Sequence, residues 1–543
     1  PIEPLTILHC WTIAPETGSD VAIDQTGVAE MQQAGFFSLL YLVQTLDPAI
    51  KTNLVVISNQ LHDVTDSDSV DPGKSTVLGL MHVIPQEYAG IECRTIDVWG
   101  IGGVPKQSKR KAAEQRAIRI ERLWADISSQ SHDLVVAHRG RHRWLPSYVP
   151  IAPDVNSKSH LTPDGVYLIT GGLGGIGYLL AEYLAVTIPG VRLALLGRTS
   201  PEDQGSKLDH LQTLGARAMV LKADVSRMGQ LQNAFDVIDS EWGAIDGIIH
   251  AAGTAGGGLI QMKQPADVAA EFAAPIIGTL NLAALVQKLD KPLDFFVLCS
   301  SHTAIVGGVG QMGYSGANAF QDAFAHAWPN VISINWDRWQ AVGMAVAIEK
   351  MLETIQRPML TPGLTPEQGK IAFGRIFAMR NSPQVIVATA DFPMLVQKTR
   401  GYQLGQLGQL DEPKPADFQA HYARPELDQP YSPARTDLEK EMSEVWQSVL
   451  GLEQVGIFDD FFSLGGDSLI ALKLVAHLQK RLNANLKIST IYDQPTVAAL
   501  AEHVETIRWL AEGQAPSSPT EAITTETIDG AEDGDLEFEE GAL

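Results

Sequence analysis

The sequence predicts two successive doubly wound α/β units followed by a small all-α bundle. Three observations carry this. A glycine-rich turn at 170–177 joins a short apolar run to an Ala-rich one. Strand-like runs recur around it at the spacing of a parallel sheet. After a Pro-rich break, helical periodicity takes over from 436.

A chain of 543 residues is too long for one core and suggests three or four domains. The formal net charge of -24 makes nucleic acid an unsuitable partner. No stretch approaches the roughly 18 uncharged apolar residues of a membrane span, and no secretory signal opens the chain, so no membrane partner is expected. Pro1 in place of Met suggests a processed or excised piece. Cys10, Cys93 and Cys299 lie far apart without a C-x-x-C pair, which predicts a reducing, cytoplasmic setting and no metal site.

Residues 1–155 read as the first α/β unit, with strands at 54–58 and 91–99 and helices at 31–46 and 76–83. The glycines at 100–103 are followed by Val104-Pro105 and a polar run, so they read as a turn. The basic run 106–122 reads as a solvated surface, and 138–144 as a closing edge strand. This unit shows no cofactor turn of its own.

Residues 156–396 form the second unit. Strands are expected at 166–169, 192–196, 218–221, 247–250, 295–299, 331–335 and 385–388. The turn reads Thr170-Gly171-Gly172-Leu173-Gly174-Gly175-Ile176-Gly177. Glycine permits its unusual φ/ψ and lets a pyrophosphate approach the N–H groups at the helix start. The second strand ends at Arg198, where an NAD enzyme would place an acid for the ribose 2′-OH. Arginine suits a 2′-phosphate, so the reading is NADPH. Asp224-Val225, after the third strand, are placed to meet the adenine. Ala251, Ala252 and Gly253, after the fourth, are small enough for a nicotinamide ribose.

Chemistry is expected at the carboxyl ends of the strands. Ser301 follows the fifth strand. Tyr314 lies thirteen residues on, with Asn318 one helical turn later on the same face. A hydroxyl and a phenol converging on one carbonyl oxygen can stabilise and protonate a developing alkoxide.

Residues 397–435 read as a Pro/Gly-rich linker, whose coil dimension is about 30–35 Å root-mean-square. Residues 436–508 form the bundle. Thr436-x-x-Glu439 is a capping box, and Leu438, Met442, Val445 and Val449 share a helix face. Gly465-Gly466-Asp467-Ser468-Leu469 sets a serine at a helix start, where free N–H groups and the helix dipole favour a phosphodiester. Residues 509–543 are acidic and read as a disordered tail.

With these residues in view, the second unit resembles the ketoreductase domain of a modular polyketide synthase, of the short-chain dehydrogenase/reductase type. The carrying motifs are the glycine turn, His250-Ala-Ala-Gly253, Ser301, Tyr314-Ser-Gly-Ala-Asn318 and Ser333-Ile-Asn-Trp-Asp337. The first unit resembles its cofactor-free structural half, through Val83-Ile-Pro-Gln-Glu-Tyr88, with its opening strand missing. The bundle resembles an acyl carrier domain, Ser468 being the 4′-phosphopantetheine serine. The resemblance implies reduction of a β-ketoacyl thioester on the carrier to β-hydroxyacyl with NADPH. Ser301 would polarise the carbonyl, Tyr314 donate the proton and Asn318 order the relay. It also implies a phosphopantetheinyl transferase and other synthase domains or modules as partners.

Two positions depart from the family. Pro275, in Ala274-Pro-Ile-Ile-Gly-Thr279, stands where the family's catalytic lysine is expected. Ala255-Gly256-Gly257 and Val306 stand where its stereochemical markers are expected. Three readings therefore remain open: an active reductase with its carrier, a reductase-inactive structural and carrier segment, and an α-ketoacyl reductase of a peptide synthetase.

Overall fold

A computed structural model describes residues 4–14, 24–47, 50–99, 109–129, 131–151, 161–199, 205–254, 256–340, 342, 361–377, 382–400, 423–425, 427, 429–466, 468–482, 486 and 488–512. The glycines at 100–103, residues 401–422 of the linker and residues 513–543 of the tail lie outside them. The chain divides into two units, Pro1–Glu412 and Pro413–Leu543.

The first unit holds two sheets. One has the order β1-β2-β3-β4-β5: β1 (Leu5–His9), β2 (Thr52–Ser58), β3 (Ile91–Val98), β4 (Val135–Arg139) and β5 (His142–Trp144). All pairings are parallel except β4–β5, a tight antiparallel hairpin, so the expected edge strand at 138–144 is the end of one strand and all of the next. Leu5–His9 pairs in parallel with Thr52–Val56, an edge strand absent from the sequence-based expectation. Leu5, Thr6 and Leu8 are exposed and only His9 is buried, as suits an edge strand.

α1 (Gln25–Gln32), a π turn (Gln33–Phe37) and α2 (Ser38–Thr45) precede β2, and α3 (Pro72–Glu87) precedes β3. α3 is longer than the expected 76–83: Asp71 accepts the Gly73 N–H at 3.0 Å as N-cap and Pro72 occupies the first turn. α4 (Lys109–Ile127) carries the basic run.

The second sheet has seven parallel strands in the order β12-β11-β10-β9-β6-β7-β8. These are β6 (Val166–Thr170), β7 (Arg192–Gly197), β8 (Arg217–Lys222), β9 (Gly247–His250), β10 (Phe295–Ser301), β11 (Val331–Trp336) and β12 (Gln384–Val387). All seven fall where the sequence predicts. The connecting helices are α5 (Gly175–Thr187), α6 (Gly205–Thr213), α7 (Met228–Trp242), α8 (Pro265–Phe272), α9 (Thr279–Val286), α10 (Thr303–Val306), α11 (Met312–Ala327), α12 (Pro366–Phe377) and α13 (Phe392–Arg400). The strand order reverses between β6 and β9, and ligands of open α/β sheets bind at such a switch point.

α8, a π turn (Ala273–Gly278) and α9 form the continuous span Pro265–Val286, which by length and apolar composition could cross a membrane. It carries Asp267 and Glu271, so it is not an uncharged stretch of that length. Val268, Phe272, Ile276 and Leu280 are buried in the core, so the span is a core helix of this fold.

The two halves share that core. Phe36 packs edge-on against Phe272 at 5.1 Å, and α3 crosses α11 with backbones nearly in contact. A β-carbon added to Gly79 would lie 2.1 Å from the Gly316 nitrogen. α3 therefore lies directly on the helix that carries Tyr314.

The second unit is a four-helix bundle: α14 (Asp437–Leu450), α15 (Ser468–Leu482), the unanticipated short α16 (Ile488–Asp493) and α17 (Val497–Glu512). The capping box forms as expected: Thr436 Oγ1 accepts the Glu439 N–H at 3.1 Å, and Glu439 accepts the Thr436 N–H at 3.2 Å. Gly451 closes α14 at φ +69°. Met442, Val445, Trp446, Phe461, Leu474 and Leu500 fill the centre. Arg424 pairs with Asp459 at 2.7 Å and Leu427 packs on this core. The last part of the expected linker is therefore built into the bundle.

Candidate active site

The glycine turn meets the carboxyl ends of β6 and β9. Gly171 adopts φ +67°, and a β-carbon on it would lie 2.8 Å from the Ala251 carbonyl oxygen. One on Gly177 would lie 2.4 Å from the Gly171 carbonyl oxygen. Gly174 is the N-cap of α5 without a side-chain cap, so the opening N–H groups of α5, from Gly175 on, face the turn. Gly172 packs on Leu195, while Leu173 and Ile176 pack against the core. The Leu173 carbonyl accepts a bond from Lys207 at 2.7 Å, a tether the sequence reading missed.

Behind the turn runs a buried chain of hydrogen bonds. The Ala252 N–H donates to Thr170 Oγ1 at 3.3 Å, and Thr170 Oγ1 pairs with His250 Nδ1 at 2.6 Å. His250 Nε2 lies 3.0 Å from the Ala274 carbonyl, which can only accept, so Nε2 carries the proton. Burial lowers the His250 pKa to about 4, the bond to Ala274 opposing it, and the ring is neutral near pH 7. Gly253 follows with open space where a β-carbon would stand.

Arg198 is exposed at the end of β7. Asp224 lies within its field. Burial raises the Asp224 pKa, but bonds from Ser226 and the charges of Arg198 and Arg227 bring it below the ordinary carboxylate range. Asp224 accepts from the Ser226 N–H at 2.9 Å and O–H at 2.7 Å. Val225 is buried with its side chain against Gly278.

Ser301 ends β10, and Tyr314 and Asn318 lie on one face of α11. The Tyr314 phenol is within hydrogen-bonding influence of Ser301 and Asn318. Burial raises its pKa, and those two bonds oppose the rise. Asn318 Nδ2 also donates to the Tyr314 carbonyl at 2.7 Å.

The same helix face continues to Asp322, which the sequence reading missed although 314, 318 and 322 share one spacing. Asp322 accepts from Ser333 Oγ at 2.6 Å and Asn335 Nδ2 at 2.7 Å. Asn335 also reaches Ser300 Oγ at 3.1 Å and the Ser301 carbonyl at 3.0 Å. A buried polar network thus fixes the strand end that presents Ser301. Burial raises the Asp322 pKa to about 6 despite these bonds.

Pro275 lies in the π turn between α8 and α9 and is buried. Proline lacks an N–H and crowds the preceding turn, a recognised cause of helix widening. Lys263 is committed elsewhere, to Glu271 and the Gly257 carbonyl. Lys288 is exposed beyond α9. Among the described residues, no lysine acts on the Tyr314 phenol.

A separate cleft of 1590 Å³ is lined by residues such as His62, Trp144, His326 and Phe392, and by none of the glycine turn, Ser301 or Tyr314.

In the second unit, Gly466 folds back on Phe461, its N–H donating to the Phe461 carbonyl at 2.9 Å. α15 then begins at Ser468.

Residues 165–341 match the KR domain family, and residues 440–504 match the phosphopantetheine attachment site. The chain carries a ketoreductase domain followed by a carrier domain. It is 30% identical over 475 residues to the phenolphthiocerol synthesis polyketide synthase type I Pks15/1 of Mycobacterium bovis, covering 81% of this chain and 21% of that protein. It is 25% identical over 457 residues to polyketide synthase PksN of Bacillus subtilis, covering 81% of this chain and 8% of that protein. It therefore spans only a small part of these relatives. An N-terminal ketoreductase from the macrolactin assembly line superposes with a TM-score of 0.57 at 24% identity, over 73% of this chain and 75% of that one.

The ketoreductase domain is an oxidoreductase of the short-chain dehydrogenase/reductase type that uses NADPH, and the carrier domain bears 4′-phosphopantetheine. The cradle fits the nucleotide: Gly171 and Gly177 let the turn fold tightly, since β-carbons there would collide with its backbone and that of Ala251, and the start of α5 has no side-chain cap.

Proposed function

We propose that this segment reduces a β-ketoacyl thioester held on its carrier to the β-hydroxyacyl thioester. The observation that supports this best is the convergence of Ser301, Tyr314 and Asn318 at the switch point beside the glycine turn. Thr170, Gly171–Gly177 and Arg198 hold the nucleotide, with Asp224 and Val225 at its adenine end and Ala251, Ala252 and Gly253 beside its nicotinamide ribose. NADPH bound there supplies the reducing equivalents. Ser301 holds the carbonyl oxygen, Tyr314 gives it a proton, and the phenol is restored from solvent along the Asn318 side. Incubation with a short β-ketoacyl thioester and NADPH, followed at the cofactor's absorbance, tests this directly. An α-ketoacyl thioester run in parallel separates the peptide-synthetase alternative.

Pro275 favours a second reading, in which NADPH binds but reduction is slow. The partners we propose are a phosphopantetheinyl transferase and other synthase modules. We place the protein in the cytoplasm, in keeping with its three free cysteines. Domain limits of 1–155, 156–396, 436–508 and a tail from 509 suit this reading, with residues from Arg424 packed onto the carrier.

Two tests belong here. Arg198→Ala should weaken NADPH binding about ten- to a hundred-fold, as a lost charge-assisted phosphate contact does, and leave NADH nearly unchanged in a fluorescence titration. Equal losses would show that Arg198 does not read the phosphate. Ser468→Ala should abolish the single mass addition that a phosphopantetheinyl transferase makes. Addition persisting in that variant would place the acceptor elsewhere.

A further inference from the structure

Three consecutive residues at the end of α3, in the cofactor-free half, reach the two loops that frame Tyr314. Gln86 Nε2 donates to the Val306 carbonyl at 2.7 Å. Glu87 accepts twice, from the Ile260 N–H at 2.7 Å and from the Gly310 N–H at 2.8 Å. The Tyr88 hydroxyl donates to Gln261 Oε1 at 2.9 Å. One carboxylate thus ties the loop after β9 to the loop that enters α11.

The first loop is tied to the same half a second time, through Gln44 at the end of α2, whose Nε2 donates to the Ile260 and Lys263 carbonyls at 2.8 Å. Among the described residues, Glu87 alone joins it to the second loop. Gly258 and Gly310 take φ +101° and +75°, and a β-carbon on Gly310 would lie 3.6 Å from the Gly258 nitrogen. The far side of the first loop is held by Lys263 and Glu271, which bind Gly257. Glu271 also abuts Gly313, one residue before Tyr314.

We propose that Gln86-Glu87-Tyr88 is a positioning clamp, centred on Glu87, by which the cofactor-free half sets the spacing of the loops around Tyr314. Its effect on rate rests on the reductase reading; the clamp itself does not. Burial raises the Glu87 pKa to about 7, against its two N–H bonds and the Lys263 charge. The titratable groups facing it are Tyr88 on its own helix end, Lys263 on the first loop and, through Lys263, Glu271 on α8. Because the enclosed acid has the higher pKa, closure is favoured by protonation and weakens as pH rises towards 7 and beyond.

The test is hydrogen–deuterium exchange of the full chain and its Glu87→Gln variant at pH 6 and 8, corrected for intrinsic rates. The amide replaces one of the two accepting oxygens by an NH2 group, which cannot accept from a backbone N–H. At pH 6 the variant should lose about tenfold or more protection in 256–260 and 307–311, with the rest of the catalytic sheet unchanged. Protection in those segments should fall between pH 6 and 8 in the parent and not in the variant. NADPH affinity should stay within about twofold, while turnover of a β-ketoacyl thioester falls about tenfold.

Unchanged protection of both loops, or equal loss throughout the sheet, would overturn the clamp. A parent that reduces nothing would count against the function alone, since the exchange pattern is read without turnover. If Glu87→Gln does not fold, Tyr88→Phe removes only one hydroxyl bond and should loosen 256–262 selectively. Unaltered exchange there would overturn the proposal as well.

Discussion

Tyr314→Phe is expected to slow reduction of a β-ketoacyl thioester by about 10²–10⁴-fold, the range for loss of a positioned proton donor. NADPH affinity should change less than twofold, because the phenol is not part of the glycine cradle. The variant keeps the ring that packs on α11 and removes only the hydroxyl, so a folding defect is not expected. The pH profile gives a second check. Burial raises the phenol's pKa while Ser301 and Asn318 oppose it. Reduction needs the protonated phenol, so its alkaline limb should lie above that of an ordinary tyrosine and vanish in Tyr314→Phe. A variant that keeps the parent's rate, or loses activity in step with NADPH affinity, would remove Tyr314 from the chemistry.

The parts of this fold that were legible in the sequence are those with dense apolar signal. Five strands of the catalytic sheet, β6, β7, β9, β10 and β11, are buried on both faces, so each reads as a short apolar run between turn residues. The edge strands β8 and β12 are less buried but still apolar at their centres. The glycine turn was legible because its spacing and the apolar runs around it point to the same geometry. β1 was missed because an edge strand with exposed Leu5 and Leu8 looks like any polar-flanked segment. The π turn at 273–278 was legible only as a missing lysine: a sequence displays the proline but not the widened helix.

Long-range polar contacts were the least legible. Glu87 lies 173 and 223 residues from the two amides it binds. Nothing local distinguishes it from a surface glutamate near a helix end. Asp322 was more accessible, since an acid on the Tyr314–Asn318 face must be buried and needs donors, and Ser333 and Asn335 alternate towards one face of β11.

Pro275→Lys is expected to raise the reduction rate, by as much as about 10²-fold or more if the missing group is an acid–base partner. The parent's Tyr314 is acted on by burial, Ser301, Asn318 and Cys299, and by no lysine among the described residues. An ammonium group beside the phenol would favour the phenolate and lower its pKa, so the alkaline limb of reduction should move down in pH along with the gain in rate. Proline also shapes the turn: its removal restores an N–H and relieves crowding, which can return Ala273–Gly278 to α-helical winding. Ala274, whose carbonyl binds His250, would feel that change. Pro275→Ala separates the two effects, because it removes the ring without adding charge. Circular dichroism must first show both variants folded. The lysine variant should then be faster with little change in NADPH affinity, and the alanine variant should not. If a folded Pro275→Lys is no faster, and the parent already turns over within the ordinary enzyme range of about 1–10³ s⁻¹, the charge at this site is supplied by another group. If Pro275→Ala gains as much as Pro275→Lys, winding of the helix rather than charge limits the parent.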